Sequence, residues 1–341
     1  MRSVVVDATG AVDVEVRPDP QLPGADGAVV QVEATAICGS DLHFLEGHYP
    51  IFEPVALGHE AIGTIVETGS EVRGFSIGDR VLVSSVAGCG HCAGCATRDP
   101  IRCVHGPQIF GSGALGGAQS ELLAVPAADF QLLRMPEGIS TEQALLLTDN
   151  LATGWAAAKR ADIPLGGSVA VIGLGAVGMC ALRSALTLGA ATVYAIDPVP
   201  ARRDRAQRDG AVPVEPAGAA AIREATGGLG VDSVIDAVGT DASINDALDT
   251  VRTGGTVSIV GVHDLQPYPL PALACLIRSL TIRLTTAPVQ QTWPELVPLL
   301  QAGRLDVDGI FTTTLSLDEA AAGYDAAMSR AGDHLKVMLT P

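Results

Sequence analysis

Two patterns of apolar residues divide the chain, and one gives way to the other near residue 149. Before that point, short apolar runs such as GAVVQVEATAI, AIGTIVETG and DRVLVSS are separated by glycine, proline and turn sequences such as SIGD. The opening run MRSVVVDATGAVDVEV alternates like one strand, and no convincing helix occurs before about residue 140. The first part of the chain is therefore predicted to be rich in β-structure.

From Ser168 onward, continuous apolar runs alternate with alanine-rich helical stretches. SVAVIG precedes AVGMCALRSALTLG, TVYAID precedes a helix around Ala201 to Arg208, VDSVIDAVG precedes ASINDALDTV, and TVSIVG precedes a helix around Leu270 to Arg278. Apolar strands joined by helices are typical of a parallel sheet covered on both faces. This segment predicts a doubly wound α/β domain.

After about Leu284 the pattern gives a helix in WPELVPLLQAG, a second helix near Ser316 to Arg330, and a last strand in HLKVMLT. We expect a β-rich domain of residues 1–149 that is interrupted by a doubly wound domain of residues 150–285 and completed by residues 286–341.

Composition narrows the class of function. Hydrophobic residues make up 48% of the 341 residues and charged residues 17%, which excludes general disorder. The net charge of -17 argues against nucleic acid or an anionic membrane as a partner. The sequence contains neither a long apolar run nor a signal-peptide pattern, so we expect a cytoplasmic protein.

The hexapeptide Gly173-Leu174-Gly175-Ala176-Val177-Gly178 ends a predicted strand and opens a predicted helix. In that context it predicts a dinucleotide site, where Gly173 forms the turn, Gly175 admits the pyrophosphate and Gly178 lets helix and strand pack closely. The phosphates would lie against the helix N-terminus, at Ala176 and Val177.

Asp197 ends the next strand and is placed to bind a ribose hydroxyl. A carboxylate repels a 2′-phosphate, so NAD is favoured over NADP, although Arg202 and Arg203 nearby weaken that preference. The alternative interpretation is a structural glycine turn followed by a solvated aspartate.

Four cysteines lie within fifteen residues: Cys89, Cys92, Cys95 and Cys103. Thiolates at this spacing suit tetrahedral zinc, and four protein ligands leave no position for substrate, so we predict a structural zinc site. Four unrelated reduced cysteines or an iron–sulfur cluster are the alternatives. Cys38, His59, Glu60 and Asp149 are dispersed candidates for a second zinc site, and each alone is more often simply packed.

The segments ICGSDLH and GHEAIGTIVETGSEVRGFSIGDRV, the four cysteines, the glycine fingerprint and HLKVML occur in the order of the zinc-containing medium-chain dehydrogenases. The chain resembles that family over its whole length. The resemblance implies a GroES-like catalytic domain and a Rossmann domain. It also implies Cys38 and His59 as ligands of a catalytic zinc.

The segment TDNLATGW resembles the branch with an aspartate ligand, found in secondary-alcohol and formaldehyde dehydrogenases, which makes Asp149 the third ligand. Glu60 is either a fourth ligand that binds when water or substrate leaves, or a carboxylate behind the ligands. By resemblance, the zinc acts as a Lewis acid on an alcohol whose hydride passes to the cofactor.

The resemblance also assigns a proton route from Ser40 through the cofactor ribose to His43, a contact with nicotinamide to Thr153, and an approach to the pyrophosphate to Lys336. A surface histidine and a solvated strand lysine are the alternatives for His43 and Lys336. Arg202 is a further candidate for binding the cofactor.

We therefore expect a zinc-dependent dehydrogenase with two zinc ions and NAD per chain, acting on a small alcohol or aldehyde. A formaldehyde dehydrogenase or dismutase and a polyol dehydrogenase are enzymatic alternatives. A catalytically inactive NAD-binding relative and a zinc-ribbon module come from other classes. By resemblance the chain forms homo-oligomers, with the tetramer favoured over the dimer.

Overall fold

The computed structural model describes residues 1–113, 115–216, 218–329 and 334–341. These residues form two compact units. The first unit comprises residues 1–152, 287–303 and 308–341, and the second comprises residues 153–286 and 304–307. Both ends of the chain thus contribute to the first unit.

The strands of the N-terminal segment are β1 (Arg2–Val6), β2 (Val12–Val16), β3 (Ala28–Ile37), β4 (Val55–Ala56), β5 (Ala61–Thr68), β6 (Arg80–Val83), β7 (Val86–Ala87), β8 (Gln108–Ile109), β9 (Leu122–Val125) and β10 (Leu132–Arg134). Its helices are α1 (Leu42–Leu45), α2 (Ala128–Gln131), α3 (Thr141–Leu147) and α4 (Asn150–Arg160). The central segment contains β11 (Ser168–Ile172), α5 (Ala176–Thr187), β12 (Thr192–Ile196), α6 (Pro200–Arg208), β13 (Val212–Val214), α7 (Ala219–Ala225), β14 (Val231–Asp236), α8 (Asp241–Thr250), β15 (Val251–Ile259), α9 (Ala272–Ile277) and β16 (Thr281–Leu284). The C-terminal segment contains α10 (Val289–Gln301), β17 (Thr313–Ser316), α11 (Ala320–Ser329) and β18 (Val337–Thr340).

The first unit is built on a seven-stranded sheet in the order β10-β6-β5-β3-β18-β17, with β9 also paired to β3. Strand β18 pairs antiparallel with β3, which brings the end of the chain against the segment that precedes Cys38. Smaller sheets have the order β2-β1-β4 and β7-β8. Within the described residues that precede α3, the α-helices are α1 and α2, of four residues each, so the β-rich prediction is confirmed.

The second unit contains a six-stranded sheet in the order β13-β12-β11-β14-β15-β16, in which every pair is parallel. Counted from the first strand of the unit, the order is 3-2-1-4-5-6, the doubly wound order of dinucleotide-binding folds. The predicted fold class is therefore confirmed. Of the helices in the described ranges, none has the length and apolar character needed to cross a membrane.

The sequence interpretation was wrong at the N-terminus, where the expected single strand is two antiparallel strands, β1 and β2. The turn between them contains Gly10 at φ 81°. The Asp7 carboxylate accepts hydrogen bonds from the backbone N–H groups of Thr9 and Ala11. Apolar and polar residues alternate on both sides of this turn, so the sequence pattern did not show that the chain reverses direction there. Within residues 150–285, the elements β13, β16, α4 and α7 were not predicted either.

Candidate metal centres and cofactor site

Four potential ligands from three separate parts of the chain meet in the first unit. Cys38 follows β3, His59 and Glu60 precede β5, and Asp149 lies between α3 and α4. Their ligand atoms all lie within 4.8 Å of one another. Strands β3 and β5 are antiparallel neighbours, so the end of one and the start of the other meet at one edge of the sheet.

The distances are those of a compact donor set. Asp149 Oδ2 lies 3.9 Å from Cys38 Sγ and 3.8 Å from His59 Nε2. Donors on one tetrahedral zinc ion are about 3.3–3.8 Å apart, given Zn–N and Zn–S bonds of about 2.0–2.3 Å. A thiolate, an imidazole and a carboxylate therefore fit a zinc ion with protein ligands on three sides. Their positions along the chain could not bring these residues together, the family resemblance implied that they meet, and the structure places them within 4.8 Å of one another.

Neighbouring side chains hold the ligands in position. Ser85 Oγ donates to Asp149 Oδ1 at 2.8 Å, and Asn150 Nδ2 donates to Asp149 Oδ2 at 2.9 Å. Asp41 Oδ1 lies 3.3 Å from His59 Nδ1, and its other oxygen accepts the backbone N–H of Cys38 at 2.9 Å. Partners of this kind fix the orientation of metal ligands. Asp41 stands within the CGSD motif and could have been found from it, whereas Ser85 and Asn150 carried no signal.

The hydrogen-bonded chain behind His59 continues into the protein. Gln119 Nε2 donates to Asp41 Oδ2 at 3.2 Å, and the buried Tyr324 hydroxyl donates to Gln119 Oε1 at 2.9 Å. Burial and the nearby Asp41 charge raise the pKa of Tyr324 well above 10, so it remains a donor. Tyr324 and Gln119 were not singled out in the sequence.

His59 is surrounded by negative charge. Burial by itself lowers the pKa of His59, but the charges of Asp41 and Cys38 outweigh it and raise the pKa well above its usual value. Negative charge around the imidazole favours a cation on the ring nitrogen, and that cation is either a proton or a metal ion. Because Nδ1 faces Asp41, Nε2 is the nitrogen that faces Asp149.

Glu60 and Lys336 form a second charged pair beside the donor set. Glu60 Oε1 accepts from Lys336 Nζ at 2.7 Å, and Glu60 Oε2, also buried, has no hydrogen-bond partner. Such an orphaned carboxylate oxygen next to a thiolate and an imidazole fits a metal ion. Lys336 is buried, so the alternative of a solvated strand lysine is wrong. Burial lowers the pKa of Lys336, but the negative charges of Glu60, Cys38 and Asp149 and the hydrogen bond to Glu60 together outweigh burial and raise the pKa.

Four sulfur atoms form the second donor set, also in the first unit, with all ligand atoms within 4.8 Å of one another. Cys89 Sγ lies 3.9 Å from Cys95 Sγ, and Cys92 Sγ lies 4.0 Å from Cys103 Sγ. Tetrahedral zinc with Zn–S bonds of about 2.3 Å separates its sulfurs by about 3.8 Å. All four cysteines are free, and their spacing is that of a Cys₄ zinc site.

The backbone of this loop favours the thiolate form of Cys92 and lets the chain wrap closely around the four sulfur atoms. Backbone N–H groups of Cys95 and Val104 lower the pKa of the Cys92 thiol to about 6, whereas burial raises the pKa of Cys95 to about 12. At Gly94 a Cβ atom would lie 1.7 Å from the Arg102 carbonyl oxygen, so only glycine fits there.

In the second unit, the predicted glycines adopt the geometry of a dinucleotide turn. Gly173 has φ 84°, and a Cβ on Gly178 would lie 1.7 Å from the Gly173 carbonyl oxygen. Gly175 caps α5, with Ala176 and Val177 as its first residues. A Cβ on Gly175 would meet no atom within 4 Å, so space remains where a pyrophosphate would lie.

Asp197 follows β12 and is buried. Its carboxylate accepts the N–H groups of Leu174 at 2.7 Å and Val199 at 2.8 Å, which ties it to the glycine turn. Arg202 Nη1 lies 3.7 Å from Asp197 Oδ2, and the buried Arg202 Nε has no hydrogen-bond partner. The arginine is thus close to the predicted ribose site, as its place in the sequence suggested.

The remaining candidates follow the zinc ligands Cys38 and Asp149 along the chain. Ser40 lies in a 3-10 turn after Cys38, His43 lies in α1 and is half-buried, and Thr153 lies in α4 and is buried. His48 is exposed, and its Nδ1 lies 2.8 Å from His43 Nδ1.

Two family profiles match the chain: "Alcohol dehydrogenase GroES-like domain" over residues 24–137 and "Zinc-binding dehydrogenase" over residues 176–302. A probable zinc-binding alcohol dehydrogenase of Mycobacterium tuberculosis is 68% identical, covering 100% of this chain and 89% of that protein. Alcohol dehydrogenase TADH from Thermus sp. ATN1 is 35% identical with a TM-score of 0.92, covering 100% of this chain and 99% of its own. A zinc-binding dehydrogenase of Sinorhizobium meliloti 1021, solved bound to NADP, is 27% identical with a TM-score of 0.85, at 100% and 99% coverage.

Proposed function

Because the chain belongs to the zinc-containing medium-chain alcohol dehydrogenase family, we propose that it oxidises an alcohol to an aldehyde or ketone with a nicotinamide cofactor at a zinc held by Cys38, His59 and Asp149. It is a zinc-dependent alcohol dehydrogenase, for which we propose the zinc ligands, the nicotinamide cofactor and the number of zinc ions. The observation that carries it is the buried meeting of a thiolate, an imidazole and a carboxylate from distant parts of the chain.

Zinc in that site supplies Lewis acidity to an alcohol or carbonyl oxygen, and the nicotinamide supplies hydride exchange. The protein's own contribution is orientation. Asp41 holds His59 through Nδ1 and leaves Nε2 for the metal, while Ser85 and Asn150 fix the Asp149 carboxylate. Glu60, held at one oxygen by Lys336, keeps its other oxygen available as an additional ligand.

The proton of the alcohol has to leave the buried site. Ser40 would accept it at Oγ as its own hydroxyl proton moves on, and His43 would release the last proton to solvent. The ribose of a bound cofactor would supply a hydroxyl between them. Both residues follow Cys38 within five positions, so one turn carries the ligand and both ends of the route. The ordinary imidazole pKa of about 6.5 suits the release of a proton near neutrality.

The second proposed zinc ion is structural and is bound by Cys89, Cys92, Cys95 and Cys103. Sulfur spacings of 3.9 and 4.0 Å support it, as does the depressed pKa of Cys92. Four protein ligands leave no coordination position for substrate, so this zinc contributes stability rather than chemistry.

NAD is the proposed cofactor, bound by the Gly173–Gly178 turn and by Asp197. The buried carboxylate at the end of β12 disfavours a 2′-phosphate. Arg202 lies close to that carboxylate, and a relative binds NADP, so the preference is tested with both cofactors. Thr153 and Lys336 remain proposed contacts of the nicotinamide and the pyrophosphate.

A homo-oligomer is the proposed assembly, with a second copy bound at the edge strand β16. This strand ends its sheet, and large apolar side chains around it are strongly exposed: Leu276, Ile277 and Leu284 at 74%, 73% and 72%. An unpaired apolar edge is usually covered by another chain. A cytoplasmic location is also proposed, because the four thiolates of the proposed structural zinc site need a reducing compartment to stay reduced.

The test is the appearance of reduced cofactor, followed by absorbance, with a panel of alcohols, polyols and aldehydes and with NAD or NADP. Metal analysis on the same preparation should give two zinc ions per chain. Turnover of an alcohol with NAD supports the proposal. Protein that holds two zinc ions but oxidises none of the alcohols with either cofactor would contradict it.

A further inference from the structure

A third group of potential ligands lies on α1 and the turn that follows it. His43, Glu46 and His48 place their ligand atoms within 4.8 Å of one another. The two Nδ1 atoms are 2.8 Å apart, and His48 Nδ1 lies 3.6 Å from Glu46 Oε2. None of the three belongs to either proposed zinc site.

The backbone brings these side chains together. The N–H of His48 donates to the carbonyl of His43 at 2.9 Å, and the N–H of Gly47 donates to the carbonyl of Phe44 at 3.2 Å. Gly47 has φ 74°, so the helix ends in a Schellman motif with Gly47 at the left-handed position. This motif places the residue after the glycine against the residue five positions earlier, a pair that is commonly hydrophobic. Here that pair is two histidines.

The imidazole pair has the chemistry of a metal site. Two ring nitrogens 2.8 Å apart share one hydrogen: one Nδ1 carries the N–H group and donates a hydrogen bond to the lone pair of the other. Two nitrogens on one tetrahedral zinc ion lie about 3.3 Å apart, given Zn–N bonds of about 2.0–2.1 Å. Opening the pair by about half an ångström lets a metal ion replace the proton, and the Glu46 carboxylate supplies a third donor and a negative charge.

We propose that His43, Glu46 and His48 form a third, exposed metal site that binds zinc or a similar divalent transition metal ion and inhibits the enzyme. Two imidazoles and a carboxylate hold the ion, and water fills the remaining position. Inhibition follows because His43 ends the proton route, and an imidazole that holds a metal ion at Nδ1 no longer passes a proton out through that nitrogen. Metal binding is independent of the proposed function, whereas inhibition rests on it.

Zinc binding to the enzyme already loaded with two zinc ions is the first measurement, by equilibrium dialysis in a buffer that does not bind metals. We expect a third equivalent in the wild-type protein and at least about tenfold weaker binding in H48Q and E46Q. His334→Gln is the matched control, because His334 is another exposed histidine and belongs to none of the groups of potential ligands among the described residues, so H334Q should bind as the wild-type does. Absence of a third equivalent, or equal binding in H48Q, overturns the site.

Initial rates with and without excess zinc are the second measurement. Zinc should inhibit the wild-type and H334Q enzymes, and H48Q should resist inhibition while keeping its basal rate. Equal inhibition of H48Q overturns the inhibitory role. If no alcohol is oxidised at all, the proposed function fails, and the dialysis result still decides whether the third site exists.

Discussion

Lys336 Nζ lies 2.7 Å from Glu60 Oε1, and both side chains are almost completely buried, at 1% and 0% exposure. Lys336 directly precedes β18 and Glu60 directly precedes β5, so residues from opposite ends of the sequence meet through their strands' shared neighbour β3. Lys336 offsets the negative charge of Glu60, which the negative charges of Cys38 and Asp149 would otherwise repel. It also determines which Glu60 oxygen is left without a hydrogen bond.

Replacing Lys336 by methionine should lower the free energy of unfolding by about 3–5 kcal/mol, because Glu60 would remain buried without its cation. Urea denaturation of the zinc-loaded protein measures this. The double variant K336M/E60Q should recover most of the loss, since neither charge then remains. A single variant within about 1 kcal/mol of the wild-type would show that the pair does not carry this stability.

Replacing Asp149 by alanine should remove one of two zinc ions and lower kcat/KM at least about 1000-fold, because Lewis-acid activation supplies several kcal/mol. Metal analysis after gel filtration, together with steady-state rates, measures both effects. The zinc at the four cysteines should remain, and so should the fold. Retention of both zinc ions would show that Asp149 is not a ligand.

The Ser85→Ala variant tests the outer support of the same ligand. Ser85 Oγ donates to Asp149 Oδ1 at 2.8 Å, and losing such a partner typically costs about 10–100-fold in metal affinity or activity. We expect faster loss of the catalytic zinc to a chelator with little change in thermal stability. A zinc-loss rate equal to that of the wild-type enzyme would mean that the hydrogen bond does not support the ligand.

Zinc affinity at the four-cysteine site should become more sensitive to acid below about pH 6, where the Cys92 thiol has its pKa. Above this pH the metal-free Cys92 is already a thiolate, so zinc displaces no proton from it. Below this pH that proton must also leave, and the affinity falls by one additional factor of ten per pH unit. Competition with a chromophoric chelator in the D149A variant isolates this site. A slope without a break near pH 6 would contradict the assignment.

Replacing Asp197 by asparagine should shift the ratio of kcat/KM for NAD and NADP towards NADP by about tenfold, or about 1.4 kcal/mol. The amide removes the negative charge that opposes a 2′-phosphate, while its oxygen can still accept one of the N–H bonds from Leu174 and Val199. Steady-state kinetics with both cofactors measures the ratio. An unchanged ratio would place the selectivity elsewhere, with Arg202 as the next residue to vary.

The features that the sequence pattern predicted are those whose residues lie close together along the chain. Gly173 to Gly178 lie within one turn, and Cys89 to Cys103 within one loop, so spacing alone identified both. The parallel sheet followed from its apolar strands. By contrast, Cys38 and His59 meet because β3 and β5 pair, and Asp149 joins them from the turn between α3 and α4. That these three residues meet was implied by the family resemblance and not by any local pattern.

The partners of the ligands were harder to predict for the same reason. Ser85 and Asn150 are ordinary polar residues until the fold aims them at Asp149. Tyr324 reaches Gln119 over 205 positions of sequence, and no local signal identifies such a pair. Lys336 was identified through its family position, but its contact with Glu60 needed the pairing of β18 with β3.

The close sequence spacing of the four cysteines also implies an order of assembly. Closing loops of a few residues has a small entropy cost, so this segment can capture a metal ion while the rest of the chain is still unfolded. The ligands Cys38 and Asp149 are 111 positions apart and cannot meet until the main sheet has formed. We therefore expect a newly synthesised chain to acquire its structural zinc early and its catalytic zinc last, so that catalytic competence appears only after the scaffold is complete.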